Sequence, residues 1–219
     1  YLGELFSRPS WPDELASLER PEVLDALARL LGVSEFLWDD FLRMQYENLF
    51  PVVADVAGLG QARGPDELAA ELAATLRAGD WRDRLNEFKD REMFRIDMRH
   101  ILGQTGSFAQ FSAELTDLVE VVIAAAVERV EREVRAQHGG PVDADGAAGR
   151  LAVAALGKCG GRELGFASDI ELMFVFAGSG ETDGPRPVGA PEYYEKVVVE
   201  TTRAIRARRE GIFQIDLQL

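Results

Sequence analysis

The chain has 219 residues, 38 of them acidic against 24 basic, with a formal net charge of −14 and 47% hydrophobic residues. That length buries a real core, and the acidic balance excludes nucleic acid as a bulk partner, because neutralising a polyanion needs clustered Lys and Arg. One cysteine excludes a disulfide framework and fits a reducing cytoplasm, and no apolar run approaches the roughly 20 residues that cross a bilayer.

Residues 1–140 read as helical throughout. Pro21 opens a pattern with Val23, Leu24, Leu27, Leu30 and Leu31 on one face, which Gly32 stops. Ser34 caps a segment bearing Phe36, Leu37, Phe41, Leu42 and Met44. Pro65 or Asp66 starts the next helix, with Leu68, Leu72 and Leu76 inward and a stop at Gly79. A longer helix runs from Asp80 to Leu102, with Trp81, Leu85, Phe88, Met93, Ile96 and Met98 as core candidates. Ser107 caps the longest, in which Phe108, Phe111, Leu115, Leu118, Val122, Ala126, Val130 and Val134 keep helical spacing. Isolated His100 and His138 form no metal site in that context.

The glycine-rich stretch Gly139–Gly149 then marks a domain boundary. Beyond it Leu151–Leu156 and Ile170–Phe176 are apolar runs of strand length, and Ile212, Ile215 and Leu217 sit in a third. A Gly/Pro/Asp loop from Gly178 to Pro191 precedes a helix from Glu192 to about Arg209. The expected fold is therefore α+β: a helical region over 1–140, then a mixed sheet over 150–219. Arg203, Arg206, Arg208 and Arg209 favour the C-terminus of that last helix and stay solvated.

The chemistry concentrates between the first two strands. Gly157, Gly160 and Gly161 let the backbone approach a triphosphate, with Lys158 beside them and Ser168 placed either to donate to phosphate or to cap the strand. Strand alternation puts Asp169 and Glu171 on one face and Ile170 on the other. Two carboxylates beside such a turn suit a divalent cation that carries a nucleotide. Asp216, flanked by core-facing Ile215 and Leu217, completes a carboxylate triad that would ligate metal and draw the proton from an attacking hydroxyl. Cys159 reads as a buried thiol, and Arg162 and Glu163 as residues that pair locally.

The stretch Gly157-Lys-Cys-Gly-Gly-Arg-Glu-Leu-Gly-Phe-Ala-Ser-Asp-Ile-Glu-Leu172 resembles the signature of the glutamine synthetase adenylyltransferase/adenylyl-removing enzyme family, which are polymerase-beta-type nucleotidyltransferases. Gly211-Ile-Phe-Gln-Ile-Asp-Leu-Gln-Leu219 resembles the strand that carries their third carboxylate, and Phe88–His100 a helix of their helical region. The resemblance implies a nucleotidyltransferase that puts AMP on a tyrosine of glutamine synthetase from Mg-ATP (or Mn-ATP), or removes it with phosphate. The metal and catalytic residues would be Asp169, Glu171 and Asp216; Gly157, Lys158, Gly160, Gly161 and Ser168 would bind nucleotide. It further implies a PII-type regulatory protein and glutamine as effectors, within a multifunctional cytoplasmic enzyme of nitrogen metabolism. Three features depart from the pattern: Glu171 replaces an aspartate, Gln218 replaces an arginine, and the chain ends before the Arg-Pro that normally follows; Cys159 stands where the family usually has an apolar residue. An inactive regulatory module of the same fold, or a nucleotidyltransferase with another acceptor, remain alternatives. The start at Tyr1 and the end at Leu219 inside a strand pattern lead us to expect a fragment of a longer polypeptide with an incomplete nucleotidyltransferase core.

Overall fold

A computed structural model describes Pro21, Asp25, Ala28 and residues 56–207 and 213–217, apart from 143–145 and 167. The helices expected over 21–32 and 34–44 thus lie largely outside the described residues. Helices α1 (Val56–Leu59), α2 (Pro65–Thr75), α3 (Trp81–Ile101) and α4 (Phe108–His138) come first. Strand β1 (Arg150–Ala155), the single turn α5 (Gly157–Gly160), β2 (Ile170–Ala177), α6 (Ala190–Ala204) and β3 (Ile215–Leu217) follow. Among the described residues, helices and a small mixed sheet make the fold α+β, as the periodicity predicts.

Local chemistry sets these boundaries. Pro65 starts α2, where a missing N–H costs nothing. The Asp80 carboxylate accepts the N–H groups of Arg82 (2.8 Å) and Asp83 (3.2 Å) at the head of α3. The Ser107 hydroxyl accepts the Gln110 N–H at 3.2 Å and caps α4 as expected. Helix α6 begins at Ala190 rather than Glu192, because Pro191 sits inside its first turn. It ends at Ala204, since Ile205 turns extended (φ −95°, ψ 104°), so Arg203 lies in its last turn and Arg206 just beyond it. Both side chains stay solvent-exposed, Arg203 paired with Glu200 at 2.8 Å and Arg206 with Asp83 at 2.7 Å, while Arg208 and Arg209 lie outside the described residues.

The chain divides into two compact units, one of residues 1–63 and 90–114, the other of 64–89 and 115–219. Helices α3 and α4 each contribute to both, and the Gly139–Gly149 connector falls inside the second. In the first unit, fully buried Arg99 forks onto Glu114 (2.9 and 3.1 Å) and also donates to the Leu59 carbonyl. Such a bidentate pair, with its spare donor satisfied, is the geometry in which burial of charge is tolerable. His100 stacks on Phe111 with its Nδ1 2.7 Å from the Thr105 hydroxyl, a packing role.

In the second unit the sheet order is β1-β2-β3, antiparallel between β1 and β2 and parallel between β2 and β3. Leu151, Phe174, Leu172 and Ile170 share one face by alternation. Against that side Val130 and Val134 of α4 and Tyr193, Tyr194 and Val197 of α6 form a buried cluster with Leu151 at its margin. The Phe176 and Tyr194 rings stack there at 4.6 Å. Trp81 and Arg82 both donate to Glu133, so the start of α3 is pinned to α4, and the Arg82 hydrogen bonds hold the Glu133 carboxyl below its usual range. Asn86 donates to the Ala204 carbonyl and accepts the Arg206 N–H, closing the end of α6.

Candidate active site

The opposite sheet face carries the carboxylates. Parallel pairing sets Ile170 against Ile215, Glu171 against Asp216 and Leu172 against Leu217. Residues directly paired across neighbouring strands project to the same side, so Glu171 and Asp216 stand next to each other. Asp169 precedes β2 by one residue and shares that parity. Asp169 and Asp216 are exposed and Glu171 half-buried. The junction is held by backbone bonds: the Ile170 N–H donates to the Gln214 carbonyl (2.8 Å), and the Phe213 N–H to the Ser168 carbonyl (3.1 Å).

The glycine segment is a single helical turn between β1 and a loop. A Cβ placed on Gly157, whose φ is +50°, would lie 1.5 Å from Glu171 Oε2. The Glu171 carboxylate therefore rests against the bare Cα of Gly157, and only glycine leaves it that space. A Cβ on Gly160 would meet the Ala155 carbonyl oxygen at 2.4 Å, so this glycine packs the turn onto the end of β1. The amides of Gly160 and Gly161 donate inward, to the Leu156 and Gly157 carbonyls at 2.8 and 2.9 Å. Those two N–H groups are engaged within the turn, unlike the open donors that the glycine pattern suggests. Lys158 is exposed beside them. Ser168 is buried and its hydroxyl accepts the Gly165 N–H at 2.9 Å, a local cap.

Arg162 was legible only as a residue with local partners, yet it reaches α4. It donates to Asp117 and, at 3.0 Å, to Glu120, and the Asp117 hydrogen bond raises its pKa further. Cys159 is buried behind the turn, in an apolar groove of about 360 Å³ lined by Ile123 and Val127 of α4 and by Val153 and Leu172 of the sheet. Burial pushes its thiol up to about 11, which suits a packing residue and not a nucleophile. His138 contacts the Arg186 carbonyl through Nδ1 at 2.7 Å, far in sequence from the carboxylates.

Among the described residues, no three His, Cys, Asp or Glu side chains gather into a ligand set for one ion. Magnesium does not need one: it keeps water and substrate phosphate in its shell and takes one or two carboxylates. The donor set on this face, all carboxylate oxygens, has the hardness such an ion prefers. The residues present thus fit a cation that arrives with its nucleotide. Among the described residues no helix is long and apolar enough to cross a membrane.

Comparison with known proteins places these motifs. The chain is 36% identical over 160 residues to the bifunctional glutamine synthetase adenylyltransferase/adenylyl-removing enzyme of Thioalkalivibrio sulfidiphilus, covering 70% of the chain and 16% of that protein. It is 32% identical over 176 residues to the enzyme of the same name from Stenotrophomonas maltophilia, covering 80% of the chain and 18% of that protein. The match to the Xanthomonas campestris enzyme is 29% over 211 residues, or 95% of the chain and 21% of that protein. The chain therefore spans about a fifth of the length of the curated relatives it matches. The sequence model of the glutamate-ammonia ligase adenylyltransferase family matches residues 24–219, and the chain belongs to that family.

Proposed function

We propose that this chain carries nucleotide-binding and metal-binding machinery of a nucleotidyltransferase that adds AMP to, or removes it from, a tyrosine hydroxyl of glutamine synthetase. The observation that carries the reading is the register pairing Glu171 with Asp216, with Asp169 two residues back on the same face and Glu171 seated on the glycine turn. A Mg²⁺ or Mn²⁺ ion held by Asp169 and Glu171 would neutralise phosphate charge and orient the phosphoryl group for in-line attack. The chain's own residues do the rest. Asp216, paired with Glu171 from the neighbouring strand, would accept the proton of the attacking hydroxyl. The first N–H groups of α5, from Gly157 and Lys158, have no acceptor inside their own helix and would be the donors to phosphate. The Lys158 ammonium adds a positive charge beside them.

Transfer from ATP and phosphorolysis of the tyrosine–AMP bond need the same arrangement, so both directions remain within this reading. The names of the relatives support glutamine synthetase as the protein substrate. A PII-type protein and glutamine are the proposed effectors, and the cytoplasm the proposed location.

Asp169→Asn tests the proposal. The amide keeps the side chain's size but is neutral, and half of it is a donor, so it no longer holds a divalent cation. We expect Mn²⁺-dependent binding of a non-hydrolysable ATP analogue to fall at least about tenfold while the melting temperature stays within about 3 °C. Unchanged metal-dependent binding in Asp169→Asn would remove the carboxylates from the centre. No such binding in the unsubstituted chain would favour an inactive regulatory module.

A further inference from the structure

We propose that Arg162 is a positioning residue that clamps the glycine turn to α4 and thereby sets where Glu171 and the turn's amides meet a nucleotide. This rests on the nucleotide reading above. Three observations carry it. Arg162 has φ 57°, a left-handed conformation that L side chains rarely adopt and that needs its surroundings to hold it. Its guanidinium spans Asp117 and Glu120, which stand one helical turn apart on α4, with the partners 45 and 42 residues away in sequence. Its position closes the turn: the Arg162 N–H donates to the Cys159 carbonyl at 3.1 Å and the Glu163 N–H to the Lys158 carbonyl at 2.7 Å. The first residue of that same turn is Gly157, against which Glu171 rests.

An exposed ion pair by itself contributes little, and the Arg162 side chain is 43% exposed. The effect here is geometric. Both terminal nitrogens of one planar fork are engaged by carboxylates of a 31-residue helix, which ties the end of the turn to α4 while Gly160 packs its body on β1. Because those nitrogens engage α4, the side chain acts through the turn and not on the phosphate.

The test compares Arg162→Ala, Arg162→Asn, Arg162→Lys and the double variant Asp117→Asn, Glu120→Gln. Two quantities are read: amide hydrogen exchange at Gly160, Gly161 and Glu163, with Val122 and Val153 as internal controls, and Mn²⁺-dependent affinity for a non-hydrolysable ATP analogue. Loss of the clamp should speed exchange in the turn about tenfold and leave the controls unchanged. Affinity should weaken about tenfold in parallel. Arg162→Lys, which keeps the charge, should recover part of both, and the double variant should reproduce Arg162→Ala with the arginine intact. That double variant changes only residues of the α4 surface, so it decides the matter even where Arg162→Ala does not fold. Asparagine tolerates left-handed φ without reaching α4; slow exchange in Arg162→Asn would overturn the clamp in favour of backbone conformation. Weakened binding with unchanged exchange would also overturn it, since Arg162 would then touch the ligand directly. Faster exchange in a chain whose unsubstituted form binds no nucleotide would sink the nucleotide reading alone.

Discussion

Gly157→Ala separates two costs that the site superimposes. The first is conformational: φ +50° in a non-glycine residue costs about 1–2 kcal/mol, and no side-chain motion relieves it. The second is steric: the new methyl would fall 1.5 Å from Glu171 Oε2 and 2.7 Å from its Cδ. Those atoms are the far end of a rotatable side chain, so Glu171 swings off the turn and the clash adds little to the loss of stability. The expected loss is thus about 1–2 kcal/mol, or roughly 3–6 °C in Tm for a domain of this size. On the proposed reading the functional loss is larger, because the displaced carboxylate would no longer reach the cation. Urea titrations and Mn²⁺-dependent nucleotide affinities for Gly157→Ala, Glu171→Ala and the double variant read the two costs apart. Stabilities should add within about 0.5 kcal/mol, whereas affinities should not add, because the methyl has nothing left to displace once Glu171 is gone. Full nucleotide affinity in Gly157→Ala, at the expected cost in stability, would show that Glu171 is not part of the site. Additive affinity losses would break the proposed link between the glycine and the carboxylate.

Asp97 is fully buried without a hydrogen-bond partner among the described residues, and burial pushes its carboxyl well above the usual range. A carboxyl raised in the folded state loses stability as pH rises past its unfolded value near 4, so Asp97→Asn should raise the urea midpoint at pH 7 and leave it unchanged at pH 3.5. Glu114→Ala leaves the Arg99 charge buried without its carboxylate and should destabilise the first unit by about 3–5 kcal/mol, read as loss of protection in the exchange of α3 amides. Cys159, raised from 9.0 to about 11, should react with a disulfide reagent at pH 8 at least about 100-fold more slowly in the native chain than in urea. The unfolded chain releases that thiol proton first, so stability should also fall as pH rises from about 9 to about 11.

The sequence carried what is local. Pro65, Asp80 and Ser107 announced their helices, because caps and first-turn prolines act within three residues. The shared face of Asp169 and Glu171 followed from alternation, which holds in any sheet. The pairing of Glu171 with Asp216 lay beyond alternation, because the register between parallel strands is set by non-local packing. Arg162 was opaque for the same reason, as its partners sit more than 40 residues away. The glycines divided: the pattern marked a tight turn, but which amides face inward depended on a helical turn too short to leave a periodic trace. The two compact units split within α3 and α4, where helical spacing runs unbroken and composition gives no sign.

The parallel join between β2 and β3 also sets an order of assembly. The first two strands meet as an antiparallel pair across a short excursion through α5, whereas β3 returns only after the loop and α6. Closing the longer excursion costs roughly 1 kcal/mol more in chain entropy, and it must be met before the three-residue pairing of β3 repays anything. Hairpin and helices are therefore expected to form first, with Asp216 arriving late beside Glu171 and bringing like charges together. A divalent cation held beside Asp216 would ease that repulsion and act on that step in particular: it would slow unfolding of the β3 join while hardly changing the rate at which the hairpin folds.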